Sequence, residues 1–89
     1  MVHTSHPVKP TSTARHLDQL SCGEGAYIQR LNVDADLRSR WAALGLEAHK
    51  WISVLRKARW GGPLHVRVGT TEIILRRQEA AKIGIGPVA

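Results

Sequence analysis

Leu37-Arg38-Ser39-Arg40-Trp41-Ala42-Ala43-Leu44-Gly45-Leu46 reads as a short basic amphipathic helix closed by a glycine, set in a chain whose other patterned segments read as strands. Leu37, Trp41 and Leu44 fall at i, i+4 and i+7 and so share one face, while Arg38 and Ser39 point elsewhere and Arg40 sits beside the apolar stripe. Asp34 or Asp36 can accept from the free N–H groups of the first turn and suits the positive end of the helix dipole, which puts the start near Ala35. With Gly45 in the left-handed conformation, Leu46 can fold back on Trp41 in a Schellman ending. Three turns do not persist without packing. The helix therefore needs a body to rest on.

That body is written on either side of it. Leu17 and Leu20 lead into Cys22-Gly23-Glu24-Gly25, a glycine turn, and a strand follows over about Ala26 to Val33. Both of its alternating rows are partly apolar, so period two marks a strand without choosing its inner face. After the helix, Trp51-Ile52-Ser53-Val54-Leu55-Arg56, Leu64-His65-Val66-Arg67-Val68 and Glu72-Ile73-Ile74-Leu75-Arg76 are three short strands. The middle one alternates cleanly: Leu64, Val66 and Val68 belong inside, His65 and Arg67 outside. Gly61-Gly62-Pro63 marks the turn before it and Gly69-Thr70-Thr71 a tight hairpin after it. Arg77-Gln78-Glu79-Ala80-Ala81-Lys82 predicts a closing helical turn, and Ile83 with Ile85 a final strand returning to the first. About five short strands, one inserted helix and tight turns make a mainly β fold, a small SH3-like barrel. Residues 1–15 lack apolar periodicity and are expected to be a disordered tail, leaving 16–89 as one domain.

Composition limits the chemistry. The 89 residues, 43% hydrophobic, provide one modest core and no large enclosed active site. A formal net charge of +6 points to an anionic partner. No apolar run approaches the roughly 20 residues that span a bilayer, and the start lacks a signal-peptide core, so the chain is expected in the cytosol. Cys22 is the single cysteine, which excludes an internal disulfide and fits a reducing compartment. An enzyme needs a nucleophile with a base, paired carboxylates or an open metal site, and none is assembled by this spacing. Both glycine clusters lack the Lys-Ser/Thr of a phosphate loop. His3 and His6 stand on the expected tail, and His16, His49 and His65 are too far apart to share a helix face, so no cofactor or metal is expected. A weak site between chains is the alternative, for instance one using His49 or His65 with Glu72.

Tyr27, Trp41, Trp51 and Trp60 are the aromatics. Trp51 heads a strand and is expected in the core or at the barrel end. Trp41 is expected as a core cap, the other reading being an exposed groove shared with Arg38 and Arg40. Trp60, beside Arg59 in a glycine loop, is the expected exposed aromatic, and Trp with Arg is a pairing enriched in binding hot spots. Lys57, Arg59, Trp60, His65 and Arg67 also contain the ingredients of a single-strand nucleic-acid groove, the second functional reading.

Leu17 and Leu20, Gly23, Leu37-Arg38-Ser39-Arg40, Leu44-Gly45-Leu46, Gly61-Gly62-Pro63-Leu64 and Leu75-Arg76-Arg77-Gln78-Glu79-Ala80, in that order and spacing, resemble the FeoA family of ferrous iron transport proteins. The resemblance implies a cytosolic SH3-like barrel acting with FeoB, a membrane ferrous iron permease with a cytosolic GTP-binding domain. Three residues depart from the family's usual pattern: Trp41 replaces a smaller aliphatic, His49 a glycine, and Trp60 a Leu or Phe. On this reading Leu37, Trp41 and Leu44 shape an apolar patch, Arg38 and Arg40 pair with acidic groups of FeoB, and Trp60 anchors the contact. Exposed edge strands leave self-association open.

Overall fold

The computed structural model describes residues 14–86; of the expected tail 1–15, residues 1–13, with His3 and His6, lie outside the described residues, while Ala14 packs against the core. Five strands, β1 (Gly25–Leu31), β2 (Trp51–Lys57), β3 (Leu64–Val68), β4 (Thr71–Leu75) and β5 (Ile83–Gly86), form one antiparallel sheet in the order β4-β3-β2-β1-β5. Helix α1 (Ala35–Ala43) is inserted between β1 and β2, and α2 (Arg77–Ala80) precedes β5. A 3-10 turn over Leu17–Gln19 buries Leu17 and Leu20 against the barrel. Each segment lies where hydrophobic periodicity and glycine punctuation put it.

One core joins these pieces: Leu17, Ile28, Leu46, Ile52, Val54, Leu64, Val66, Leu75 and Ile83 are fully buried, with Trp41 at 4% exposure. In β3 the alternation is realised, with Leu64, Val66 and Val68 inside. β1 resolves its ambiguity by a bulge, because the β1–β5 register shifts between Ile28 and Arg30. The strand bends there, so Ile28 is buried before the bulge and Leu31 turns partly inward after it. A bulge lets one strand carry apolar residues in both rows. The open side of β5 is covered by the chain just ahead of the 3-10 turn: His16 bridges Gly84, and the Ile85 N–H donates to the Arg15 carbonyl at 2.9 Å.

Of the two places expected for Trp51, the core is excluded: it heads β2 half-buried on the outer face, because its neighbours Ile52 and Val54 take the inward positions. Its ring meets Tyr27 edge-on, with centroids 4.9 Å apart, and crosses Gly25, where a Cβ would approach the ring to 2.7 Å. Glycine is needed there for that close approach.

Helix α1 is specified at both ends. Asp34 is the cap, its Oδ1 accepting from the Leu37 N–H at 2.8 Å. At the other end Gly45 has φ +93°, its N–H reaches the Ala42 carbonyl, and the Leu46 N–H reaches the Trp41 carbonyl, each at 2.9 Å. This is the Schellman pattern, and it seats Leu46 in the core with Trp41. Trp41→Ala should lower stability by about 3–5 kcal/mol, the range for truncating a buried aromatic; an unchanged denaturant midpoint would place the indole outside the core. His49 occupies the left-handed region at φ +73°, so His49→Gly should raise stability by up to about 1 kcal/mol, read in the same titration.

Candidate functional site

The six residues singled out in the sequence fall into two places. The chain enters β2 from α1 at Trp51 and leaves it at Lys57, three residues before Trp60. Seven residues of strand cover roughly 20 Å, so α1 and Trp60 occupy opposite ends of β2 and do not form the single patch expected for them.

At the α1 end, Trp41 is buried and cannot line a surface groove; the core reading holds because the Schellman ending turns this side of the helix onto the barrel. Leu37 is half-buried against the same core. The Arg38 guanidinium donates to the carbonyls of Leu31 and Val33, each at 3.2 Å, and so ties α1 to the end of β1. Arg40 and Leu44 remain outside, with Leu44 46% exposed.

At the other end, β2 and β3 are joined by a turn over residues 59–62 in which the Gly62 N–H donates to the Arg59 carbonyl at 3.2 Å. Its two central residues, Trp60 and Gly61, have φ +61° and +75°, as a type I′ turn requires. That turn prefers Asn-Gly, and a bulky side chain in the left-handed region is strained. Trp60 is nevertheless 97% exposed, so its indole gains nothing from burial to offset the strain. Arg77 holds the turn from behind, donating from Nε to the Gly62 carbonyl at 3.0 Å and from Nη2 to the Ala58 carbonyl at 2.9 Å. Lys57 is likewise engaged, its Nζ donating to the carbonyls of Asp18 and Leu20 at 3.0 and 2.9 Å.

Beside the turn, Arg56, Lys57, Ala58, Pro63, Leu64, His65 and Ile74 line an open groove of about 310 Å³. Ile74, 63% exposed, was missed in the sequence although the signal was present. A two-residue turn at Gly69-Thr70 pairs Val68 with Thr71, which fixes Ile73 and Leu75 inside and Ile74 outside, opposite His65.

Glu72 binds His65 Nε2 at 2.8 Å and Arg67 Nη2 at 3.0 Å within one chain. Among the described residues no group of three or more His, Cys, Asp or Glu side chains could hold a metal ion. Cys22 is exposed in its glycine turn.

Short antiparallel strands wrapped on one core, with a helix inserted between the first two, define a small SH3-like barrel domain. Residues 15–87 match the FeoA domain. Among solved structures, FeoA from Chlorobium tepidum is 30% identical with a TM-score of 0.76, the match covering 83% of this chain and 70% of that one. Iron(II) transport protein A from Clostridium thermocellum is 30% identical with a TM-score of 0.74, over 82% of this chain and 45% of that one. The zinc-complexed FeoA of Stenotrophomonas maltophilia, described as a prokaryotic SH3 domain protein, is 27% identical with a TM-score of 0.65, over 82% and 91% of the two chains. Comparison with curated proteins gives no match. The chain belongs to the FeoA family, which is associated with ferrous iron transport.

The Arg67 guanidinium, and after it the His65 ring, hold the Glu72 carboxyl below the usual glutamate range. A lowered folded value means that the stabilisation is complete above the unfolded glutamate value and is lost as pH falls through the lowered one. An NMR titration should therefore give Glu72 a midpoint below the ordinary value, and Arg67→Gln should move it up. Arg77→Met should speed amide exchange at the 59–62 turn while leaving β3 protected; unchanged exchange would show that the turn holds itself.

Proposed function

We propose that the chain is a cytosolic accessory of ferrous iron uptake that binds a FeoB-type permease and regulates or helps assemble it. Family membership supports the transport association, and the Stenotrophomonas relative is itself put forward as a ferrous iron transport activating factor. Among the described residues no helix is long and apolar enough to cross a membrane, so the action on transport is read as exerted through a partner.

The observation that carries the reading is the exposure of Leu44 beside Arg40, at the end of a helix that Trp41, with Leu46 just beyond it, fixes to the barrel core. A side chain held outward on a fixed helix binds at a small ordering cost. Leu44 supplies the apolar contact and Arg40 meets an acidic group of the permease. Leu37, Arg38 and Trp41 act from behind by fixing the helix, and Trp60 makes a separate contact from the far end of β2.

The test is a tagged pull-down from detergent-solubilised membranes of the native host, washed at rising salt. The full chain should retain FeoB. Arg40→Glu with Leu44→Ser should reduce retention about tenfold or more, as for hot-spot residues, while shifting stability by no more than about 0.5 kcal/mol, as for exposed positions. Absence of FeoB, or equal retention by the double variant, would contradict the reading.

A further inference from the structure

No Asp or Glu occurs from Ala48 through Thr71, whereas the same span carries Lys50, Arg56, Lys57, Arg59 and Arg67. The β2–β3 hairpin is thus cationic along its whole length. Lys57 is spent on backbone carbonyls and Arg67 on Glu72. Arg56, which lines the groove, and Arg59, in the turn next to Trp60, are both exposed. A fully exposed indole therefore stands at the tip of a cationic hairpin, in a strained conformation of a turn that Arg77 holds in place. Strain of this kind persists only where the surroundings impose it, and it marks positions whose side chain is used.

The surroundings of Trp60 narrow the occupant. A nucleic-acid strand needs successive aromatic platforms, but Tyr27 and Trp51 are packed on each other and Trp41 is buried, so the tip offers one ring. Stable protein interfaces bury about 800 Å² on each partner, whereas the large apolar side chains exposed at this end are Trp60 and Ile74. One amphipathic ring on a convex, cationic tip is instead the composition of a bilayer-interface anchor, in which tryptophan sits at headgroup level and basic side chains meet anionic lipid.

We propose that the tip of the β2–β3 hairpin is a seat for an anionic lipid bilayer surface, with the Trp60 indole entering the interface and Arg56 and Arg59 facing headgroup phosphates. A single ring with two cations gives reversible attachment, since stable anchoring takes stronger or additional signals. The seat keeps the domain near the membrane plane while α1, at the other end of β2, stays available. Membrane contact of this kind is a property of the chain itself and needs no permease.

The experiment uses the full chain with vesicles of phosphatidylcholine containing about one third phosphatidylglycerol, an anionic surface of the kind that attracts basic segments. Co-sedimentation should occur with these vesicles, weaken at rising salt and be absent with phosphatidylcholine alone. Tryptophan emission should shift to the blue on binding, and the shift should vanish in Trp60→Asn. That variant gives the turn the Asn-Gly pair it prefers, so it should melt higher while binding vesicles about tenfold less. Arg56→Gln with Arg59→Gln should weaken binding about 25-fold, about fivefold for each cation removed. A wild-type chain that ignores the anionic vesicles overturns the proposal, as does unchanged binding in Trp60→Asn. Retention on a single-stranded oligonucleotide through these residues, with vesicles ignored, overturns it in favour of a nucleic-acid surface. No permease is present, so failure here leaves the adaptor reading intact, and loss of FeoB retention leaves this proposal intact.

Discussion

The pairing of β1 on both of its sides is the constraint on which the rest of the structure depends. β1 pairs with β2 on one side and with β5 on the other, so the first strand of the domain joins its middle to its end. Without the β1–β5 seam, Ile83 and Ile85 would have no inner face to cover and the 3-10 turn would lose the edge on which it sits. The bulge after Ile28 bends β1 just past the point where its pairing passes from β2 to β5. The seam also sets where α1 begins, because the chain leaves the barrel at Leu31 and must return at Trp51.

Two surfaces result from that arrangement, and both are held from within. α1 is fixed by Trp41 and Leu46 in the core and by Arg38 on the carbonyls at the end of β1. The β2–β3 turn is fixed by Arg77, a residue of the closing α2 helix whose guanidinium reaches back to it. In each case an inward-working residue presents an outward-facing one: Trp41 presents Leu44, and Arg77 presents Trp60. Preorganisation of this sort suits a domain whose work is contact rather than chemistry.

Most of the fold was legible in the sequence because its signals are local. Glycine at the left-handed helix end, the two-residue Gly69-Thr70 turn and the alternation of Leu64, Val66 and Val68 each fix conformation within a few residues. The inner face of β1 was not legible, since a bulge puts apolar residues into both rows and its position depends on the partner strand. The choice between core and barrel end for Trp51 was not legible, because a large ring heading a strand resembles a core residue and the glycine that accommodates it outside lies on another strand. The candidate site was legible only in part. Exposure of Trp60 and burial of Trp41 follow from local context, but the separation of α1 from the Trp60 turn is a property of strand direction that residue spacing does not record. The positive φ at Trp60 runs against residue preference and was visible only in the fold.

On this reading the barrel works through two fixed surfaces at opposite ends of β2, one meeting the permease and the other the membrane. Hydrogen exchange of the full chain, free and with FeoB reconstituted in an anionic bilayer, tests it most directly. Exchange should slow in two separate segments, residues 38–46 and 58–63, with β4 unchanged. Protection confined to the open edge of β4, or no protection anywhere in the chain, would contradict it.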